Sequence, residues 1–349
     1  MRIYIPTIFL SLLISSCALD VSKTSSLSRR QAISNVAYAS SALVLPKASF
    51  ASKIPASVAS SSSSTRLVNA PAINLATPSS LRNKPSKLAS FGLQIYDNAT
   101  AYKLTTTALE AGYRNFFASV LAGNQKGFAQ AIRDSNIPRD ELYICGTVLS
   151  NRAKNYKDAF DKTQKGCMEN LNVMSKNWNS KIDYLDMIML DYPCLDSEGV
   201  KGQWDAFNAF IDDKHVIHLA VSNFSPSQLD LCIERGVPPT VNQLPFSIVN
   251  HPRGLLEGNT KRNVHIQSWS PLSSTLGRYG KVMQEIGAKK YEKSAAQVGL
   301  RWIVQNGGSY SMQTKNEKHF VENLQVFDFE LSQKDMDDLS DLQPPVAFS

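Results

Sequence analysis

Between residues 90 and 325, short apolar runs alternate with amphipathic segments, and a chain satisfies that pattern by stacking strand–helix units. The strand candidates are Phe91–Ile95, Tyr113–Ala118, Glu141–Thr147, Leu185–Asp191, Val216–Val221, Thr240–Gln243, Val264–Trp269 and Ser309–Gln313. Helix candidates between and after them are Ala99–Glu110, Gln125–Asp134, Tyr156–Val173, Trp204–Asp212, Pro226–Arg235, Lys281–Lys290, Ser294–Gln305 and a last one opening at Lys318–Asn323. Leu185–Asp191 is nearly continuously apolar, as a strand buried on both faces is. Ser225 precedes Pro226 as an N-cap precedes a helix. Eight such units in roughly 250 residues are the arithmetic of a (β/α)8 TIM barrel. In that α/β fold the chemistry sits at the C-terminal ends of the strands. Those ends are Phe117, Thr147, Asp191, Ser222, Gln243, Trp269 and Gln313. Such a rim holds one carboxylate and no histidine, lysine or tyrosine.

Composition narrows the remaining classes. With 43% hydrophobic and 19% charged residues the chain can bury a large core, which excludes global disorder. The net charge is +7, but residues 1–65 carry Arg2, Lys23, Arg29, Arg30, Lys47 and Lys53 against Asp20 alone. The remainder is nearly balanced, which speaks against a nucleic-acid partner. The cysteines Cys17, Cys145, Cys167, Cys194 and Cys232 show no metal-ligand spacing. Dispersed buried thiols are the expectation for the last four, disulfides the alternative.

Residues 1–65 read as an unstructured targeting leader and linker. Arg2 precedes an apolar run to Ile14 and the small residues Ser15 to Ala18, a signal-peptide pattern. A Ser-rich, acid-poor stretch follows, and then Arg29-Arg30 ahead of a weakly apolar run and Ala48-Ser49-Phe50-Ala51, which resembles a twin-arginine signal. Such a series is expected to address a plastid thylakoid lumen. Ile14-Ser15-Ser16-Cys17 also fits a lipobox, so secretion or lipid anchoring is the alternative. Ser60–Thr65 reads as linker, and residues 66–349 as the barrel.

Several stretches, in order and at barrel spacing, resemble the aldo-keto reductase family: Ala111-Gly112-Tyr113-Arg114, Val221-Ser222-Asn223-Phe224, Val241-Asn242-Gln243, Trp269-Ser270-Pro271-Leu272, Ser294–Trp302 and Glu322–Phe329. The resemblance implies a (β/α)8 barrel that binds NADP or NAD without a Gly-rich dinucleotide loop, and the sequence has no G-x-G-x-x-G. It implies nicotinamide contacts at Ser222, Asn223 and Gln243 and ring stacking at Trp269. It implies pyrophosphate contacts at Ser270 and Leu272, and adenine contacts at Glu322 and Asn323. In the family a Tyr donates the proton, a Lys lowers its pKa, an Asp pairs with the Lys, and a His orients the carbonyl. Those four positions fall here on Ala122, Thr147, Phe117 and Asp191 respectively. None of the first three donates a proton at neutral pH. The family's 2′-phosphate Lys-Ser pair falls on Gln313-Thr314 and its Arg on His319, with Lys315 and Lys318 as possible substitutes. Gln94-Ile95 replaces a usual Gly-Thr.

Phe117 and Ala122 read either as packing residues or as an apolar mouth. Asp191, desolvated at a rim, is expected to have a raised pKa and is a candidate acid. Tyr192 lies beside it, but strand alternation would turn it to the opposite face. The segments after Pro193 and Leu272 are short, so an open mouth is expected. Three functions remain: a nucleotide-binding homologue without the family's catalysis, an active NAD(P)H oxidoreductase using Asp191, and a scaffold without nucleotide.

Overall fold

The structure, a computed structural model, describes residues 70–75, 84–93, 96–119, 123–176, 184–212, 215–275 and 278–342. The leader, Gln94, Ile95 and Ala122 lie outside the described residues.

A short antiparallel hairpin, β1 (Ala72–Ile73) and β2 (Ser86–Lys87), precedes a closed parallel barrel. The barrel strands are β3 (Ala89–Leu93), β4 (Asn115–Ser119), β5 (Tyr143–Val148), β6 (Leu185–Asp191), β7 (Val216–Ser222), β8 (Val241–Pro245), β9 (His265–Trp269) and β10 (Ser309–Met312). They pair in chain order, and β10 closes on β3 through Tyr310↔Ala89 and Met312↔Phe91. The helices are α1 (Asn98–Ala111), α2 (Gln125–Asp134), α3 (Tyr156–Leu171), α4 (Ser197–Asp212), α5 (Pro226–Ile233), α6 (Leu255–Thr260), α7 (Arg278–Ile286), α8 (Ala295–Gln305), α9 (Glu317–Leu324) and α10 (Gln333–Asp341). The (β/α)8 expectation therefore holds.

Local chemistry explains many of the helix boundaries. Asp97 accepts from the Thr100 N–H at 2.6 Å to start α1, and Gly112, at φ +105°, ends it in a conformation that favours glycine. Ser225 with Gln228, and Ser294 with Gln297, form reciprocal capping boxes for α5 and α8. Sequence reading starts α4 at Trp204, yet the helix begins at Ser197. The intervening glycines lower helix propensity, but Gly202 is needed there. A Cβ on Gly202 would lie 2.3 Å from the Tyr156 carbonyl oxygen of α3. The hairpin, α6 and α10 also escape sequence reading, being too short or too charged to show periodicity.

Strand alternation divides two cores. Outward side chains such as Phe91, Phe116, Ile144, Ile188, Leu219 and Tyr310 are buried in the core between barrel and helices. Inward side chains Tyr143, Cys145, Met187, Met189, Ala220 and Val241 fill the barrel, and Leu75 and Ile73 from the hairpin segment pack against them. On the outer side, the fully buried Asp186 binds Lys84 at 2.6 Å, Arg139 at 2.8 Å and the Ile144 N–H at 2.7 Å, tying the hairpin to β5 and β6. Cys145, Cys167, Cys194 and Cys232 are buried free thiols. No helix among the described residues is long and apolar enough to cross a membrane.

Candidate functional site

β6, β7, β8 and β9 deliver Asp191, Ser222, Gln243 and Gln267 to the barrel mouth in register: Asp191 opposes Ser222, Ser222 opposes Gln243, and Gln243 opposes Gln267. A chain of hydrogen bonds links β9 to the end of β7. The Trp269 indole N–H donates to Asn223 Oδ1 at 3.1 Å, and Asn223 Nδ2 donates to Ser222 Oγ at 2.9 Å. Ser222 opposes Asp191 across the β6–β7 pair, and its hydroxyl lowers the carboxyl pKa. Both donors of the chain point the same way, so it is polarised in one direction. Beside it Gln243 Nε2 donates to Gln267 Oε1 at 2.7 Å. Sequence reading passed over Gln267, although it shares the inward face of β9 with Trp269 two positions on.

Two backbone outliers shape this site. Asn223 sits at φ +64°, held by its N–H on the Gln243 carbonyl at 3.0 Å. The buried Asn242 amide fixes the next residue, donating to the Phe224 carbonyl at 2.9 Å. Tyr192 sits at φ +78°, a conformation that bulky residues rarely adopt. Its N–H donates to the Ser222 carbonyl at 3.2 Å, and its own carbonyl accepts from Gln203 Nε2 at 3.4 Å. Gln203 is fully buried and also donates to Ser150 Oγ at 2.9 Å and accepts the Cys194 N–H at 2.8 Å. These contacts impose the unusual turn. They also correct the alternation argument for Tyr192. The strand stops at Asp191, and Tyr192 leaves it half-exposed, close enough for the Asp191 charge to raise the phenol pKa after burial does.

Asp191 is the one strand-end carboxylate. Burial raises its pKa, and the Ser222 hydroxyl partly offsets this. Phe117 is half-buried and packs on the interior cluster that includes Cys145 and Met189. Thr147 is buried, and its carbonyl accepts from the Asn170 amide at 2.6 Å. Deeper in the barrel, His218 Nδ1 meets the Tyr143 hydroxyl at 2.8 Å, and burial holds its pKa down to about 4. It is therefore neutral and below the mouth.

The opposite side of the mouth carries the other candidates. Trp269 ends β9, and Ser270 follows at φ +51°. Leu272 is half-buried, and its carbonyl accepts from the Thr275 N–H at 3.0 Å. Gln313 is exposed, and its Oε1 accepts from the Tyr96 hydroxyl at 2.9 Å. Lys315 Nζ lies 5.1 Å above the Tyr96 ring. Both ring nitrogens of His319 bond locally, to Thr314 Oγ1 at 3.3 Å and Asn316 Nδ2 at 3.1 Å. Glu322 takes the Ser294 hydroxyl on one carboxylate oxygen. Asn323 is 2% exposed, and its Nδ2 has no partner among the described residues. No cluster of three metal-ligating side chains occurs among the described residues.

The description of the aldo/keto reductase family matches residues 88–343. The chain is 30% identical over 260 residues to a glyoxal reductase of Bacillus subtilis, covering 72% of this chain and 88% of that enzyme. It is 28% identical over 264 residues to a 9,11-endoperoxide prostaglandin H2 reductase of Trypanosoma cruzi, covering 73% and 88% respectively. Among solved structures, an aldo/keto reductase from Brucella melitensis superposes with a TM-score of 0.69 at 25% identity, over 79% of this chain and all of that one. A Bombyx mori aldo-keto reductase in complex with NADP superposes with a TM-score of 0.68 at 19% identity, over 79% of this chain and 94% of that one, a likeness of fold.

Proposed function

The chain belongs to the aldo/keto reductase family, and from that premise we propose that its barrel binds a nicotinamide dinucleotide but does not reduce aldehydes or ketones by the family's proton relay. The observation that carries this reading is the hydrogen-bonded Trp269–Asn223–Ser222 group, with Ser222 opposite Asp191. It joins the residues suited to a nicotinamide to a mouth that holds none of the family's relay residues.

The residues present suit a dinucleotide. Asn323 offers a buried amide N–H without a partner, which costs free energy unless a ligand satisfies it. Glu322 beside it keeps an oxygen for the same ligand, so this pair serves the adenine end. Ser270 and Leu272 border the pyrophosphate. Ser222, Asn223 and Gln243 serve the carboxamide, and the hydrogen-bonded Trp269 ring is held in one orientation for stacking. A bound reduced nicotinamide supplies a hydride. Phe117 has no exchangeable proton, the Thr147 hydroxyl is too weakly acidic to serve as the general acid, and Ala122 is a methyl group. Losing a positioned general acid costs about 10²–10⁴ in rate.

The nucleotide preference is weak in this reading. Gln313-Thr314 and His319 replace the charged partners of a 2′-phosphate. Each lost charge-assisted contact is worth about 1.5–3 kcal/mol. His319 is engaged by its neighbours, and Lys315 leans on Tyr96. The leader's stacked signals support delivery to a thylakoid lumen.

The test combines a broad panel of aldehydes and ketones with NADPH and NADH. The native chain should bind nucleotide, seen as Trp269 quenching, and turn over none of the panel. A variant combining Phe117→Asp, Ala122→Tyr, Thr147→Lys and Asp191→His rebuilds the relay, and any carbonyl activity should appear only there. Robust native turnover that vanishes in Asp191→Asn would refute this reading and establish Asp191 as the acid.

A further inference from the structure

Asp191 is half-buried and, like Glu322, has no ion-pair partner among the described residues, unlike the fully buried Asp186 and Asp335. Asp186 pairs with Lys84 and Arg139, and Asp335 pairs with Lys290. Ser222 opposes Asp191 and its hydroxyl lowers the carboxyl pKa, and no lysine, arginine or histidine pairs with Asp191 among the described residues. A half-buried carboxylate without a counter-ion draws a positive ligand.

The surroundings favour an organic cation over a metal ion. Tyr192 stands next to Asp191, 45% exposed and held out by its strained backbone. Trp269 is joined through Asn223 to Ser222, which opposes Asp191 across the β6–β7 pair. Phe117 adds a half-buried ring on the inward face of β4. Aromatic faces attract alkylated nitrogen cations. A single carboxylate offers too few oxygens for calcium or magnesium.

We propose that the mouth takes an iminium ion as its hydride acceptor, with Asp191 as counter-ion and the Tyr192, Trp269 and Phe117 rings as walls. This rests on the nicotinamide reading above. The chemistry balances without the missing relay. Hydride from the reduced dinucleotide forms the new C–H bond at the iminium carbon. The C=N π pair becomes the nitrogen lone pair, the iminium charge disappears, and the dinucleotide is left oxidised. No proton is taken from the protein in that step. A ketone would instead leave an alkoxide that needs a tuned general acid, a role the family's tyrosine fills and Phe117, Ala122 and Thr147 do not.

The test measures binding before turnover. The probes are N-methyl-3,4-dihydroisoquinolinium, a permanent iminium ion, and 1-tetralone, a neutral ketone of similar shape. Calorimetric titration of the full chain should show the cation bound roughly ten- to hundredfold more tightly than the ketone. Asp191→Asn should abolish that difference and leave ketone affinity unchanged. Tyr192→Leu should weaken the cation severalfold more than it weakens the ketone, which keeps the test decisive if the first variant misfolds. With NADPH, the cation and not the ketone should be reduced. Equal affinity for the two probes, or a preference that survives in both variants, overturns the proposal. Nucleotide binding without cation preference overturns this inference alone. Cation preference without nucleotide binding refutes the proposed function, and with it the reduction, while upholding recognition by Asp191.

Discussion

Gln203→Leu should loosen the segment that presents Asp191 and Tyr192. Gln203 is fully buried on α4 and makes two well-formed contacts, accepting the Cys194 N–H at 2.8 Å and donating to Ser150 Oγ at 2.9 Å, with a longer one to the Tyr192 carbonyl at 3.4 Å. Leucine has nearly the same volume, so the cavity contribution is small. The loss is then the cost of leaving buried polar groups unsatisfied, about 1–3 kcal/mol each. Ser150 Oγ retains Thr163 Oγ1 at 2.6 Å, which lowers its share. The expected destabilisation is about 2–4 kcal/mol, or roughly 5–12 °C in thermal midpoint for a barrel of this size. Urea denaturation and a thermal scan measure it. A local readout separates loop release from general weakening. Cys194 is 1% exposed, and its N–H is one of the groups released, so its reaction with a thiol reagent should accelerate under native conditions, more than that of the buried Cys232. A midpoint shift under about 2 °C, or equal acceleration at both thiols, would refute the assignment of Gln203 as the support of this loop.

Titrations with NADPH and NADH should differ by no more than about tenfold; a hundredfold preference for NADPH would show that Lys315 or Lys318 replaces the missing charges. Burial raises the Asp191 pKa, so the folded chain holds that proton more tightly than the unfolded one, and this group's contribution to stability falls as pH rises from its ordinary range through the raised value. Asp191→Asn should therefore gain on the native chain in thermal midpoint as pH rises from 4 to 7, and a difference constant with pH would contradict the desolvation argument. N-terminal sequencing of the natural protein should find a start near Ser52 or within the Ser-rich stretch after it, without Arg29-Arg30; a start between Leu19 and Arg30 would remove the thylakoid-lumen address.

Residue pattern alone determined the barrel, because eight apolar runs with helical segments between them have one economical closure. It also determined which side chains reach the mouth, since inward and outward positions alternate along a strand. Asp191, Ser222 and Trp269 end their strands and Thr147 lies one residue before its strand's end, whereas Phe117 and Gln243 sit at the centres of β4 and β8, which run two residues past them. Leu185–Asp191 and Gln125–Asp134 were legible to the residue. Only the tertiary structure decided what those side chains do to one another. The chain from Trp269 through Asn223 to Ser222 links β9 to the end of β7, and strand register sets Asp191 opposite Ser222. Tyr192 at φ +78° breaks the alternation because Gln203, eleven residues away, and the Ser222 carbonyl, thirty residues away, hold its backbone. Gly202 inside α4 serves the approach of α3 and not its own helix. In each case the deciding contact joins segments that folding brings together, and its energy belongs to the pair.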